Sequence, residues 1–548
     1  MPRSQPWIRP PNGVALSIPS RRPLRLSSPW GDVALSRGRR GAVRIWGPNH
    51  DARAFGLGWA HAHDRPVQLA VLRIAARGEA AWRLQGTGSM VAQDRYLRER
   101  GFVASARAEA QALDAPTADR LAAYCAGINA AQARPGQPVA LSLLGVQEEP
   151  WSRVDVLLML RLFADLSLSQ NQEITERSLI ASWLRGSADD ARALEAIHAP
   201  GLDGFDPSWL RGADPVRLQP TPLRFDPLCA AALPHFAASN AFAVAGHRSS
   251  TGHALLAADP HLEVQSLPPT FYEVALGGPD GWAVGIGVPG VPGVLAGRFP
   301  RVAVGVTYGF MDQVDFFVEE CRGGAVRRGD GWVPAMRVDE ELRVRGGESQ
   351  TLTVWRSDRG VLEGDPREAG RLLVRAWSPE IGGLRQALAV HDRLWAAQDL
   401  DEAMEATAAM PLSINYVLAD AGGRIGLQQA GLAPDRAPGH TGLFPAPAWD
   451  ASTAWRGILP PSAHHRVDAT ERGWIATTND VVNPPGRTLV NAAAAGYRRD
   501  RLDQLLSAPR RLAPAHLAAM QADLTSLRAK RLLTGLRPHL PATARARA

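Results

Sequence analysis

Apolar residues recur at three- and four-residue spacing through the first third of the chain and then give way to short alternating runs, so helices are expected first and strands after them. Positions 33–35 and 42–45 alternate as a hairpin, with order beginning near Trp30. Asp51 stands where it can cap a helical pattern that runs on to Gly86, and Pro66 should break or kink that pattern. The spacing predicts further helices over 116–131 and 153–184, separated by a Pro- and Gly-containing loop around 135–150. From 186 to 238 periodicity fades while Asp, Gly and Pro accumulate, which marks a boundary. Beyond it, 241–245 and 254–258 are small apolar runs joined by the turn-rich HRSSTGH, a buried hairpin. Strand-like runs follow at 271–276, 282–286, 302–307, 316–319, 342–344, 350–355 and 372–376, and helical spacing returns at 399–410, 499–506 and 514–536. Helices, then many strands, then helices make a layered α+β body.

Composition narrows the class. With 548 residues and 45% hydrophobic content the chain can bury a large core. Its net charge of +7 comes almost entirely from scattered arginines, Lys530 being the only lysine, so no basic stripe for nucleic acid is present. Cys125, Cys229 and Cys321 are too few and too far apart for a disulfide framework or a metal knuckle. No run reaches the ~18 apolar residues of a membrane span. The first thirty residues are basic and proline-rich without an apolar segment of the signal-peptide kind.

The candidate chemistry centres on Ser239 and His261, at the two ends of the 239–261 hairpin stretch. A serine hydroxyl needs a base, and cutting after Ala238 would give Ser239 its own free α-amine, with an unperturbed pKa near ~7.7–8.0. The proline-rich stretch before it, 220–238, reads as an excisable connector. His61, His63 and Asp64 could be mistaken for a metal site, but with no third cluster at metal spacing they read as packing and hydrogen-bonding groups. Glu173 and Glu176 share one helical side, suiting a solvated face or an oxygen ligand for a hard cation.

Several segments then fall in one order: FGLGWAHAHDR at 55–65, RIAARGEAAWRLQG at 73–86, YCAGINA at 124–130, EEPWSRVDV at 148–156, SNAFAVAG with DPHL, VAVGVTYGFMDQVDFF at 302–317, SINYVLADAGGRIG at 413–426, APDRAPGH at 433–440 and MQADLTSLRA at 520–529. Together they resemble the penicillin acylase (penicillin amidase) family of N-terminal nucleophile hydrolases, from about Trp30 to about Pro538. The resemblance implies a four-layer αββα fold, two packed antiparallel sheets flanked by helices. It divides the chain into a disordered lead-in (1–27), a mainly helical first chain (28–200), a spacer (201–238) and a second chain (239–548) that pairs with the first as a self-cleaved heterodimer.

The resemblance also implies roles. Ser239 is the nucleophile and base carrier, and His261 holds it in register. The Tyr308 backbone N–H and the Asn415 amide receive the oxyanion, and Arg436 supports Asn415 or serves in a salt bridge. Asp312, Asp315, the Val314 carbonyl and Glu173 match a structural calcium site; no organic cofactor is implied. Phe299, Val304 and Tyr308 depart from the family's usual residues, which bears on substrate identity. Phe242, Tyr308 and residues near Val294 are expected to line an apolar acyl pocket. The expected activity is hydrolysis, through an acyl-serine intermediate, of an amide joining a hydrophobic acyl group to an amine, with β-lactam side-chain amides and N-acyl homoserine lactones as candidates. The family suggests a periplasmic or secreted protein. Two alternatives remain at this point: a catalytically silent, unprocessed binding protein on the same fold, and a metal-dependent amidohydrolase using His61 and His63.

Overall fold

The computed structural model describes residues 23–539 except 39–40, 137, 170–235, 263–267, 439, 441, 443–444, 491–492 and 509. Its centre is a ten-stranded sheet in the order Leu24–Leu26, Val33–Arg37, Val43–Trp46, Tyr272–Gly278, Gly281–Gly287, Ala296–Arg298, Val302–Tyr308, Ile414–Asp420, Ile425–Ala430, Arg466–Asp468. A three-stranded sheet, Trp474–Thr477, Phe236–Val244 and Leu255–Leu262, lies across it. Ala241 and Ala243 of the small sheet pack on Val417, Ala419 and Leu427 of the large one, and Gly305 leaves room for them: a Cβ there would come within 2.9 Å of Ala258. Small residues at the seam bring the two sheets together. Helices cover both outer faces. The His50–Asp64, Ala115–Gln132, Arg153–Ser167 and Ala387–Ala396 helices bury the far side of the ten-stranded sheet, and Tyr497–Leu506 with Pro514–Gln521 cover Phe242 and Val244 on the small one. The layers are therefore α, β, β, α.

Two glycines explain motifs that spacing could only flag. The His50–Asp64 and Ala115–Gln132 helices cross in backbone contact, where a Cβ on Gly58 would sit 2.0 Å from the Tyr124 carbonyl oxygen and one on Gly127 1.9 Å from that of Phe55. Neither position can carry a side chain.

Several expectations need correction. Asn49, not Asp51, caps the first long helix, its Oδ1 accepting from Ala52 N at 2.9 Å; Asp51 instead pairs with Arg120. Pro66 does break the long pattern, as expected: the first helix ends at Asp64 and Pro66 starts the next, at a first-turn position that needs no N–H. The pattern at 514–536 is two helices, Pro514–Gln521 and Leu527–Leu536. The strand expected at 342–344 is the end of Met336–Leu342. It belongs to a third, eight-stranded sheet beyond the two-sheet expectation, with Val314–Arg322 and Gly370–Trp377 near its middle. The sheets are not wholly antiparallel either, since Val43–Trp46 runs parallel to Tyr272–Gly278. Leu24–Leu26 pairs with 33–35, so a strand lies inside the expected lead-in. Of the 153–184 helix, the described part ends at Ser167; Glu173, Glu176 and Cys229 lie outside the described residues.

Buried ion pairs and hydrogen bonds tie residues before 170 to residues after 235. Asp165 meets Arg375, Arg100 meets Glu363 at 3.1 Å, and Glu109 Oε2 accepts from the backbone N–H groups of Leu384 and Arg385 at 2.6 and 2.7 Å. Among the described residues no helix is long and apolar enough to cross a membrane.

Candidate active site

Strand alternation decides where Ser239 points. Ala238, Ser239 and Asn240 pair with His261, Pro260 and Asp259, so Ser239 shares a face with Ala241 and Ala243 while Asn240 shares the other with Phe242 and Val244. Ser239 is thus directed into the seam between the sheets, at 3% exposure. The apolar seam turns polar at this end. Thr477 lies opposite Ala241, and Thr307 lies opposite Asn415. Thr477 Oγ1 is 3.2 Å from Thr307 Oγ1 and accepts from Asn415 Nδ2 at 3.4 Å.

Continuing the Thr477–Ala241 register by two residues would set residue 479 opposite Ser239. The strand stops first, because Asn479 takes a left-handed backbone with φ of 66°, a conformation asparagine tolerates better than most residues. The turn delivers its side chain instead: Asn479 Oδ1 accepts from Ser239 N at 2.6 Å and from Arg498 Nη2 at 3.1 Å, while Nδ2 donates to the Tyr308 carbonyl at 3.0 Å. Arg498 Nη1 donates to the Ser239 carbonyl and to Asn240 Oδ1, each at 2.8 Å. Residue 239 is therefore held at both its N–H and its C=O. Burial pulls the Arg498 pKa down without neutralising it. An amine freed at 239 would lie against the Asn479 carbonyl and close to this guanidinium, whose charge favours the neutral, proton-accepting amine.

The other expected residues fall into three groups. Asn415 faces the seam opposite Thr307, and Tyr308, which pairs with Ile414 on the other face, borders it through the backbone carbonyl that Asn479 reaches. His261 does neither. It occupies the opposite face of the hairpin, half-exposed, with Nε2 2.8 Å from Asp259 Oδ2 and 3.1 Å from Asn240 Nδ2, so among the described residues it is linked to Ser239 through Asn240 and Arg498. Arg436, Asp312 and Asp315 form a separate cluster: the guanidinium contacts Asp312 Oδ2 at 3.0 Å and both Asp315 oxygens, and Trp455 Nε1 also donates to Asp315. Burial alone would lower the Arg436 pKa, but Asp312 and Asp315 raise it. Arg436 is thus a salt-bridge residue here, with no contact to Asn415 recorded among the described residues.

These contacts bear on calcium. Arg436 brings Asp312 and Asp315 together, Val314 opens the strand that carries Asp315, and Glu173 lies outside the described residues. Asp315 is occupied on both oxygens by N–H donors. Two carboxylates against one guanidinium leave one negative charge, so a hard cation at this cluster would depend on Asp312 and on Glu173.

The expected acyl-pocket residues are also split. Phe242 packs under the terminal helices, on the face away from Ser239. Val294 lines an apolar cavity of about 100 Å³ on the helix side of the ten-stranded sheet, with Phe163, Val291, Leu394, Ile414 and Tyr416 among its walls. Ile414 places that cavity one residue along the strand from Asn415. Tyr308 stacks on Phe310 at 4.2 Å between centroids. The metal reading of 61–64 fails geometrically: His61 is fully buried with Nδ1 2.7 Å from the Tyr124 hydroxyl, burial pushes its pKa down to about 3, and His63 stacks on Trp59.

Asn479 and Arg498 escaped the sequence reading. The available signal was weak: a four-residue strand, WIAT, followed by TND, in which an asparagine just past a strand end is suited to a left-handed turn.

The penicillin amidase family model matches residues 32–548. The chain is 30% identical to the penicillin acylase 2 proenzyme of Pseudomonas sp. (strain SE83), over 97% of this chain and 69% of that protein. It is 29% identical to the acyl-homoserine lactone acylase QuiP of Pseudomonas aeruginosa, over 90% of this chain and 61% of the relative. The chain therefore spans between three-fifths and seven-tenths of these relatives' lengths. Among solved structures, the thermostable penicillin G acylase from Alcaligenes faecalis in its orthorhombic form aligns with a TM-score of 0.49 at 23% identity, covering 55% of this chain and 56% of that one. With the α, β, β, α layers, the serine turned into the seam and a family match over nearly its whole length, this chain belongs to the penicillin amidase family.

Proposed function

We propose that this chain is a self-processing amidase whose nucleophile is Ser239. The observation that carries the reading is the hold on residue 239, where Asn479 Oδ1 binds the nitrogen that would become the α-amine and Arg498 binds the carbonyl. In maturation, Ser239 Oγ attacks the Ala238 carbonyl carbon, the Ala238–Ser239 C–N bond breaks as the nitrogen takes up the proton, and an ester remains. Water cleaves that ester, leaving a carboxylate on Ala238 and a free amine on Ser239. That amine then serves as base for the same hydroxyl in attack on a substrate amide. The first product is an amine plus an acyl-Ser239 ester, and water releases the acid. Asn479, in contact with both residue 239 and Tyr308, supplies the side-chain amide at the developing charge, with the Tyr308 backbone N–H as the second donor. The buried links from Asp165, Arg100 and Glu109 across to the later residues support two chains staying together after the cut.

The substrate on this reading is an amide with an apolar acyl group, taken up by the cavity beside Ile414. The names of the relatives put penicillin side-chain amides and N-acyl homoserine lactones first for assay. Intact mass and N-terminal sequencing of purified protein, with both substrate classes, test the proposal. A second chain beginning at Ser239 and amide hydrolysis, both absent in Ser239→Ala, are expected. An uncut chain that hydrolyses amides would overturn the mechanism, and a protein neither cut nor active would favour a binding role.

A further inference from the structure

One polar group stands out in the apolar cavity. Tyr416 lies in the Ile414–Asp420 strand, where alternation turns it, with Ile414 and Leu418, away from the Ser239 seam and into the helix-side core. Ile414 and Tyr416 both line the cavity, among Leu160, Phe163, Val291 and Leu394. Tyr416 is only 1% exposed. Yet its hydroxyl has no hydrogen-bond partner among the described residues. Burial pushes its pKa up, so the group is a phenol with a proton to donate. An unmet buried hydroxyl is destabilising, and a packed core has no use for one where phenylalanine would fill the same space.

Two other polar side chains, Thr270 and His391, share the wall, and both are partly exposed. His391 Nδ1 accepts from Val294 N at 3.1 Å, and burial pushes its pKa down to about 4, so it stays neutral and its Nδ1 lone pair is taken. That same bond argues against a metal at the neighbouring His50, His391 and Asp392 cluster, where Arg120 also occupies Asp392. Tyr416 differs from Thr270 and His391 in being fully buried with a hydroxyl that meets no partner among the described residues.

We infer that this cavity takes short acyl groups bearing a hydrogen-bond-accepting oxygen along the chain, a keto or hydroxyl substituent, and that the Tyr416 hydroxyl binds that oxygen. The inference rests on the cavity being the acyl site of the proposed amidase. Size points to short groups, since about 100 Å³ is less than the ~150 Å³ of an engineered cavity that accommodates benzene. Selectivity follows from chemistry: a plain alkyl chain leaves the phenol unmet, whereas an oxygenated chain satisfies it but must itself give up water. A site built around a polar donor separates such a pair by far more than an all-apolar pocket could.

The test is binding and hydrolysis measured side by side. Hexanoic acid and its 3-, 4- and 5-oxo derivatives are titrated calorimetrically into the purified protein and into Tyr416→Phe. At least one oxo acid is expected to bind about 10-fold more tightly than hexanoic acid, and Tyr416→Phe should erase that preference while binding hexanoic acid as well or better. Because the substitution removes an unmet hydroxyl, its melting temperature should not fall, which separates lost recognition from lost folding. Equal binding of all four acids, or an oxo preference that survives Tyr416→Phe, overturns the inference. The p-nitroanilides of the same acids separate it from the proposed activity. Oxo-selective binding without hydrolysis refutes the amidase and keeps Tyr416 as the selecting group; hydrolysis with no oxo selectivity does the reverse.

Discussion

Replacing Asn479 probes the centre of the proposed site, because three hydrogen bonds end on one side chain: from Ser239 N, from Arg498 Nη2 and to the Tyr308 carbonyl. In Asn479→Ala the three partners lose their contact at roughly 1 kcal/mol each. Alanine must also adopt the left-handed backbone at φ of 66°, for about 1 kcal/mol more. A loss of about 4 kcal/mol in stability follows. Asn479→Gly loses the same bonds without the backbone cost, so the two variants should differ by about 1 kcal/mol. Turnover should drop about 10²- to 10³-fold in whatever protein is correctly cut, the range seen when a side-chain donor to an oxyanion is removed. Asn479→Asp keeps an acceptor for Ser239 N and Arg498 but sets a carboxylate against the Tyr308 carbonyl, so it should retain processing better than alanine while still losing turnover. The assays are urea unfolding, mass spectrometry of the 238–239 cut, and kcat on the best amide substrate. A cut Asn479→Gly protein with turnover within threefold of the parent would remove Asn479 from the site.

Other outcomes can be stated briefly. Asn415→Ala removes the single contact to Thr477 and should cost only about 10-fold in turnover; a larger loss than Asn479→Ala would make Asn415 the oxyanion donor instead. Arg436→Met leaves Asp312 and Asp315 without their shared guanidinium and should destabilise by about 3–5 kcal/mol, read by thermal melting, unless calcium takes the vacated position, which metal analysis of the variant and parent would reveal. Burial pushes the Glu99 pKa up to about 7, with Arg100 opposing and Glu363 adding to the rise. The folded state then holds a proton that the unfolded state releases at lower pH, so its stabilising share is complete below about pH 4.5 and lost as pH rises through 7. Glu99→Gln should match the parent near pH 4 and exceed it by up to roughly 3 kcal/mol above pH 8; a gap that does not change with pH would place Glu99 in water.

Much of the fold was legible because the signals are local. Period-two alternation at 302–307 and 350–355, helical spacing at 116–131 and the turn residues of HRSSTGH each depend on neighbours in the chain, and each recurs within a residue or two of its expected bounds. Ends were less secure. A cap is set by which side chain actually reaches the first free N–H, so Asn49 took the place expected for Asp51. The division of 514–536 into two helices turned on a loop at 522–526 whose composition carries no proline or glycine to announce it.

The candidate site divides along the same line. Ser239, with its strand, its hairpin and its family, could be read from the sequence alone, because the motif surrounding it is contiguous. The partners could not. Ser239 and His261 lie together at the open end of one hairpin, and only the register, with Ser239 opposite Pro260, turned them to opposite faces. Asn479 and Arg498 lie more than 200 residues from Ser239 and reach it because the Trp474–Thr477 strand pairs alongside it and then turns left-handed. Sequence determines periodicity, turns and which residue types are available for chemistry, since those depend on near neighbours. Which side chains converge depends on strand pairing and on where each strand ends, and those are decided only when distant segments pack.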